Sequence, residues 1–189
     1  MSTSKRWLIM IIPEVNEKIA LPDGVTAKFE NDTLTIKGEK GENSRVFSHP
    51  KISIKLNGNI VEIHSKNVRR KDKAIIGTFI AHINNMKRGV TQGFEYKMKT
   101  VFSHFPIKTM VEGDEFIIQN FLGERSPRRA KILEGVKVDA KAENITVTGI
   151  DREKVGQTVA NIERATKVKN RDIRVFQDGV YRTSKGGRQ

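Results

Sequence analysis

The sequence predicts an α+β protein made of two tandem duplicated domains, each an antiparallel β-sheet set covered by one α-helix. Three observations lead there. Similar strings recur in the same order ~80 residues apart. Turn-forming pairs of Asn, Asp and Gly punctuate each half as β-hairpins do. Each half then closes on a single stretch with helical periodicity.

The repeat is clearest in Gly77-Thr-Phe-Ile-Ala-His-Ile83 and Gly156-Gln-Thr-Val-Ala-Asn-Ile162, each with an aspartate five positions earlier, Asp72 and Asp151. Upstream, Glu30-Asn-Asp32-Thr-Leu34-Thr-Ile36 corresponds to Glu112-Gly-Asp114-Glu-Phe116-Ile-Ile118, and Gly41-Glu42 to Gly123-Glu124. Lys51-Ile52 and Asn59-Ile60 are echoed by Lys137-Val138 and Asn144-Ile145. The junction falls near Lys87–Gly89, which gives an N-terminal repeat over residues 1–87 and a C-terminal repeat over 88–189.

In the first half, strands Val25–Glu30 and Thr33–Lys37 flank Asn31-Asp32, and Lys51–Leu56 and Asn59–His64 flank Asn57-Gly58. The Asn57-Gly58 pair is the strongest hairpin signal in the chain, because both residues tolerate the positive φ of a type I′ turn. In the second half, Ile107–Val111 and Glu115–Phe121 flank Gly113-Asp114, and Val136–Lys141 turns into Ile145–Thr148. A last hairpin is expected around Asp178-Gly179, between Arg174–Phe176 and Val180-Tyr181. The helices are expected over Asp72–Met86, with Ile75, Ile76, Phe79, Ile80 and Ile83 on one stripe, and over Asp151–Ala165, with Val155, Val159 and Ile162 inward. Asp72 and Asp151 read as N-caps. Gly77 and Gly156, each costing ~1 kcal/mol against Ala inside a helix, read as sites of close helix–sheet approach.

Composition bounds the function. The 189 residues carry 35 Lys and Arg against 22 Asp and Glu, a net charge of +13. One sign dominates, as in a polyanion binder rather than a surface rich in both signs. The longest apolar run, Trp7–Ile12, is far short of the ~20 residues of a transmembrane helix. It is also too short for a secretory signal, and Pro13-Glu14 follows it without a cleavage site. A cytoplasmic protein with no membrane partner is expected. Absence of cysteine removes disulfides, thiolate metal sites and cysteine nucleophiles.

No catalytic constellation, metal site, cofactor or small-molecule substrate is legible. The histidines, at 49, 64, 82 and 104, have no metal-ligand spacing, and Gly38-Glu-Lys-Gly41 lacks the Lys-Ser/Thr of a P-loop. The pairs Ser48-His49 and Ser103-His104 read as strand ends near prolines, since adjacent strand residues point to opposite faces.

Three basic clusters remain. Lys66–Lys73 reads equally as a solvated face or a binding surface. Arg125, Arg128, Arg129 and Lys131 fill the second half's counterpart of the Gly41-Glu42 loop. From Arg164 to the end, eight cations stand against Asp172 and Asp178, Lys167, Lys169, Arg171, Arg174, Arg182 and Lys185 among them. There the charges interleave with Phe176, Gln177 and Tyr181, a mixture that grips phosphates and stacks a base or ribose.

The tail Val168-Lys-Asn-Arg171-Asp-Ile-Arg174-Val-Phe176-Gln-Asp178-Gly179-Val180-Tyr181, ending near Lys185, resembles the C-terminal signature of the L-six family of large-subunit ribosomal proteins. Leu21-Pro-Asp-Gly-Val25, Ile36-Lys-Gly-Glu-Lys-Gly-Glu42, Gly89-Val-Thr-Gln-Gly-Phe94 and Asn120-Phe-Leu-Gly-Glu124 support the resemblance from about Asn16 to Lys185. The branch is archaeal and eukaryotic, where the eukaryotic name is L-nine. Arg164 and Arg182 depart from the family pattern, and both add positive charge.

The resemblance implies a structural constituent of the large ribosomal subunit. Its second domain would bind large-subunit rRNA near the sarcin–ricin loop and the stalk base, where translation factors dock, beside the ribosomal proteins of the stalk base. Recognition would be of RNA shape and backbone, with no bond made or broken. A free-standing RNA-binding module or RNA chaperone is the alternative. An RNA-modifying enzyme would need a cofactor loop or paired acid and base that the sequence lacks.

Overall fold

A computed structural model describes residues 12–185, so most of Trp7–Ile12 lies outside the described residues. The chain divides into two compact units between Thr91 and Gln92.

The first unit comprises β1 (Ile12–Ala20), β2 (Thr26–Glu30), β3 (Thr33–Gly38), β4 (Gly41–Val46), β5 (Ile52–Asn57), β6 (Ile60–Val68) and α1 (Arg70–Thr91). The second comprises β7 (Phe94–Val101), β8 (Lys108–Glu112), β9 (Glu115–Gln119), β10 (Arg128–Lys131), β11 (Val136–Lys141), β12 (Asn144–Gly149), α2 (Arg152–Ala165) and β13 (Gly179–Lys185). Sheet orders are β1-β6-β5 and β2-β3-β4 in the first unit, β11-β12-β7-β13 and β10-β9-β8 in the second. Reading β7, β12 and β11 for β1, β6 and β5 gives the same order, so the duplication is a duplication of topology. One strand departs from it. β13 is added at the edge of β7 whose counterpart in the first unit, on β1, pairs with no described strand.

The hairpins follow from their turn residues. Asn31 and Asp32 take φ of 48° and 58°, the pattern of a type I′ turn between Glu30 and Thr33. The turn between β5 and β6 lies one residue beyond the expected Asn57-Gly58. Asn57 pairs with Ile60, so Gly58 and Asn59 are the turn, and only Gly58 has positive φ.

Each helix buries one stripe. Val155, Thr158, Val159 and Ile162 of α2 are fully buried, and the three apolar ones pack with Phe116, Phe121, Ile145 and Val147. In α1, Ile76 and Ile83 are buried while Ile75, Phe79 and Ile80 are half-buried, and Phe79 meets Phe47 edge to face at 5.1 Å. α1 runs past the expected end at Met86, because Met86, Gly89 and Val90 are also buried against the sheets.

Asp151 is the N-cap of α2, accepting from the Glu153 amide at 2.8 Å. Asp72 is not a cap. It is the third residue of α1, and its carboxylate reaches back to the Arg69 amide at 3.1 Å, the returning arm of a capping box. That amide, and then Lys51 at 3.5 Å, hold its pKa below the usual value.

The helix glycines also differ from expectation. A Cβ on Gly77 or Gly156 would meet nothing within 4 Å. The close approaches are instead at strand ends. A Cβ on Gly149 would lie 2.6 Å from Val155 Cγ2, and one on Gly38 would lie 2.9 Å from Val90 O.

Candidate nucleic-acid interface

The hairpin expected at Asp178-Gly179 does not form, because β13 hydrogen-bonds to β7, pairing Gly179 with Val101 and Tyr181 with Lys99. Ile173–Val175 is a turn and Phe176 lies in the loop after it, so Arg174–Phe176 is no strand. Gly179 lacks the positive φ such a hairpin turn would need. Residues 167–178 are therefore an excursion between α2 and β13, and its two ends are tied together. The buried Thr166 hydroxyl accepts from Val180 N at 3.1 Å, and Glu163 Oε1 accepts from Arg182 N at 3.1 Å.

The excursion is shaped by its own residues. Asp172 accepts from the Arg174 amide through its side chain at 2.9 Å and from the Phe176 amide through its carbonyl at 2.9 Å. This tight turn leaves Ile173 and Val175 70% and 58% exposed. The Phe176 ring is met by the Arg171 guanidinium at 4.8 Å and by the His104 ring at 5.0 Å. Asp178 is fully buried. Its Oδ1 accepts from Ser103 N at 3.0 Å and lies 3.7 Å from His104 Nδ1. The far end of the excursion is thus anchored on the loop after β7.

Residues 125–131 are not all loop, since Arg128–Lys131 form β10 and alternate in facing. Arg128 turns inward and is spent within the protein. Nε and Nη2 engage the Glu124 carboxylate at 2.8 and 2.6 Å. Nη1 donates to the carbonyls of Ala165 and Lys167 at 2.9 and 3.0 Å, and the guanidinium lies 4.1 Å over Phe121. A cation at the C-terminus of a helix is favourably placed. Arg128 is therefore a clamp on the end of α2, with four of its five N–H donors engaged within the protein. Its hydrogen bond, followed by charge from Arg128 and Arg171, holds the Glu124 carboxyl below its usual range.

The cations expected to converge do so only in part. Arg125, Lys167, Lys169, Arg171 and Arg174 are exposed. The Arg128 clamp brings the Arg125 loop to the start of the excursion. Arg129 pairs with Glu115 at 3.0 Å and, like Lys131, projects from the face of β10 opposite Arg128. Arg182 is exposed on β13 beyond the excursion; the Lys185 side chain lies outside the described residues. Gln177 donates to Arg174 O within the excursion and accepts from the Tyr181 hydroxyl of β13 through its own carbonyl.

Two residues of this face were not expected from the sequence, His104 and Asp178. Ser103-His104 sits in a loop rather than at a strand end. The available signal was Asp178 itself, an acid amid cations, which reads as half of an Asp-Gly turn. Ser48-His49 is likewise in a loop and serves local structure, Ser48 donating to Asp32 and His49 accepting from the Lys51 amide.

Two copies of one α+β unit, the second bearing a hydrogen-bonded turn rich in cations and exposed apolar side chains, define a duplicated protein with a face suited to a polyanion. The chain matches the family described as Ribosomal protein L6 twice, over residues 21–93 and 105–179. It is 50% identical to large ribosomal subunit protein uL6 of Methanobrevibacter smithii, covering 94% of this chain and 99% of that one. The uL6 proteins of Picrophilus torridus and Aeropyrum pernix are both 48% identical, over 87% and 88% of this chain and 91% and 92% of theirs. This chain belongs to the ribosomal protein L6 family, whose members are ribosomal proteins rather than enzymes.

Proposed function

We propose that this protein is a structural constituent of the large ribosomal subunit, acting in the cytoplasm within the ribosome. Its second unit grips folded large-subunit rRNA by the backbone, near the sarcin–ricin loop and the stalk base where translation factors dock. Neighbouring proteins of the stalk base are its expected protein partners. The observation that carries the reading is the excursion 167–178. It presents Lys167, Lys169, Arg171 and Arg174 to solvent on a frame fixed at both ends by Thr166, Arg128 and Asp178. Fixed cations bind phosphates without the entropy cost of ordering a flexible tail, and they read RNA shape rather than base sequence.

Hydroxyl-radical footprinting of the full chain on large-subunit rRNA tests the placement. Protection centred on the sarcin–ricin loop and the stalk base is expected; protection confined to other regions would contradict it. Gradient sedimentation of cell extract separates this reading from a free RNA chaperone. A ribosomal constituent travels with large subunits, whereas a chaperone leaves a substantial fraction at the top of the gradient.

A further inference from the structure

Beside the excursion, between the end of α2 and the start of β13, lies an open groove of about 700 Å³. Its walls include Val168, Ile173, Phe176 and Tyr181, and its rim carries Arg164 and Lys167. The acid in its lining, Glu163, already accepts from the Arg182 amide. The groove is thus apolar within and cationic at its edge. Tyr181 is 49% exposed and immobilised. Its hydroxyl donates to Gln177 O at 3.0 Å, and its ring lies so close to Gly179 that a Cβ there would be 3.0 Å from Cε2 and Cζ.

We propose that this groove receives one unstacked RNA base, seated against the Tyr181 ring, while the flanking phosphates lie on Arg164 and Lys167. The inference rests on the RNA reading above and adds a base-sized subsite to it. Charge complementarity selects the occupant. An apolar peptide would cover the groove and leave the rim cations unpaired, whereas a nucleotide supplies a flat apolar face and an anion together. The groove has the size of a small-ligand site. Because the tyrosine hydroxyl is already used, the ring offers a π face and no base-edge code, so the subsite tolerates any base.

The test compares the full chain binding two RNA probes, a fully paired duplex and the same duplex carrying one bulged 2-aminopurine. The wild type is expected to bind the bulged probe about tenfold more tightly and to quench its fluorescence, as stacking on an aromatic ring does. Tyr181→Phe should keep both effects. Tyr181→Leu and Tyr181→Ala should lose both while holding the paired duplex as before. Thermal unfolding verifies each variant, and Tyr181→Leu retains apolar bulk should the alanine variant fail to fold. Arg171→Ala with Arg174→Ala should weaken both probes by the same factor and preserve their ratio. Equal binding of the two probes by the wild type would overturn the subsite, as would a preference that survives in Tyr181→Leu or a bound base that stays bright. In those cases the phosphate-gripping reading would stand. Failure to bind either duplex would overturn both.

Discussion

Arg128 shows how far a cation's role depends on where its strand points it. The sequence places it among phosphate ligands with Arg125, Arg129 and Lys131, yet inward facing on β10 spends its donors on Glu124 and the end of α2. Arg128→Lys should lower RNA affinity by disordering the excursion while leaving the salt dependence of binding unchanged. A fall in that dependence would mean Arg128 itself contacts phosphate. The ion pair also sets an acid limit. A carboxylate whose folded pKa is depressed stabilises the fold above its unfolded pKa, ordinarily 4.5 for Glu124, and loses that contribution as pH falls through the lowered value. Stability owed to this pair should therefore be constant from pH 8 to about 5 and decline only below about 4.5. Glu124→Gln should flatten that part of the wild-type acid-unfolding curve, and an unaltered curve would remove the pair from the account.

At the scale of elements, what the sequence reveals depends on how local the signal is. Hairpins at Asn31-Asp32 and Gly113-Asp114 were legible because turn and partner lie within a few residues. β1 and β7 pair with strands far along the chain, so no turn marks them, although Phe94–Val101 alternates buried and exposed without a break. The Asp178-Gly179 pair misleads for the same reason. Its residues suit a tight turn, but the edge of β7 claims the following strand and burial claims the Asp178 carboxylate. The candidate cations were legible by type; which of them point outward was not. The glycines give a sharp test of the helix packing. Gly77→Ala and Gly156→Ala should each stabilise by about 0.5–1 kcal/mol, since the added methyl meets nothing and helix propensity rises. Gly149→Ala should destabilise, since its methyl would collide with Val155. Denaturant midpoints moving the opposite way would refute the packing described.

For the whole molecule, duplication makes each unit self-sufficient in core. The second packs Phe94, Met98, Phe116, Ile118, Ile145 and Ile162 about α2 with β13 closing one edge. A fragment beginning at Gln92 should fold cooperatively alone, with dispersed amide resonances. Collapse to a molten species would point to a core shared by the two halves. Charge does not separate the units, since residues 1–91 carry 16 cations against nine acids and residues 92–189 carry 19 against 13. Arrangement does. In the first unit the exposed cations Lys66, Arg69, Arg70, Lys71 and Lys73 surround the start of α1, whereas in the second the excursion gathers Lys167, Lys169, Arg171 and Arg174 on a frame tied at both ends, with Arg174 lying 4.0 Å from Asp172. The isolated second unit is expected to keep most of the affinity for large-subunit rRNA.

Whether the excursion grips phosphates or reads base edges is decided by the salt dependence of binding. For the full chain on a large-subunit rRNA fragment, log K should fall linearly with log salt concentration, each phosphate contact contributing a slope of about −0.7 to −0.9. Arg171→Ala with Arg174→Ala should reduce the magnitude of that slope by roughly one to two units. The loss should be the same for point-mutated targets that keep their fold. An unchanged slope, with affinity lost for a single RNA sequence only, would show these arginines reading bases and would contradict the account.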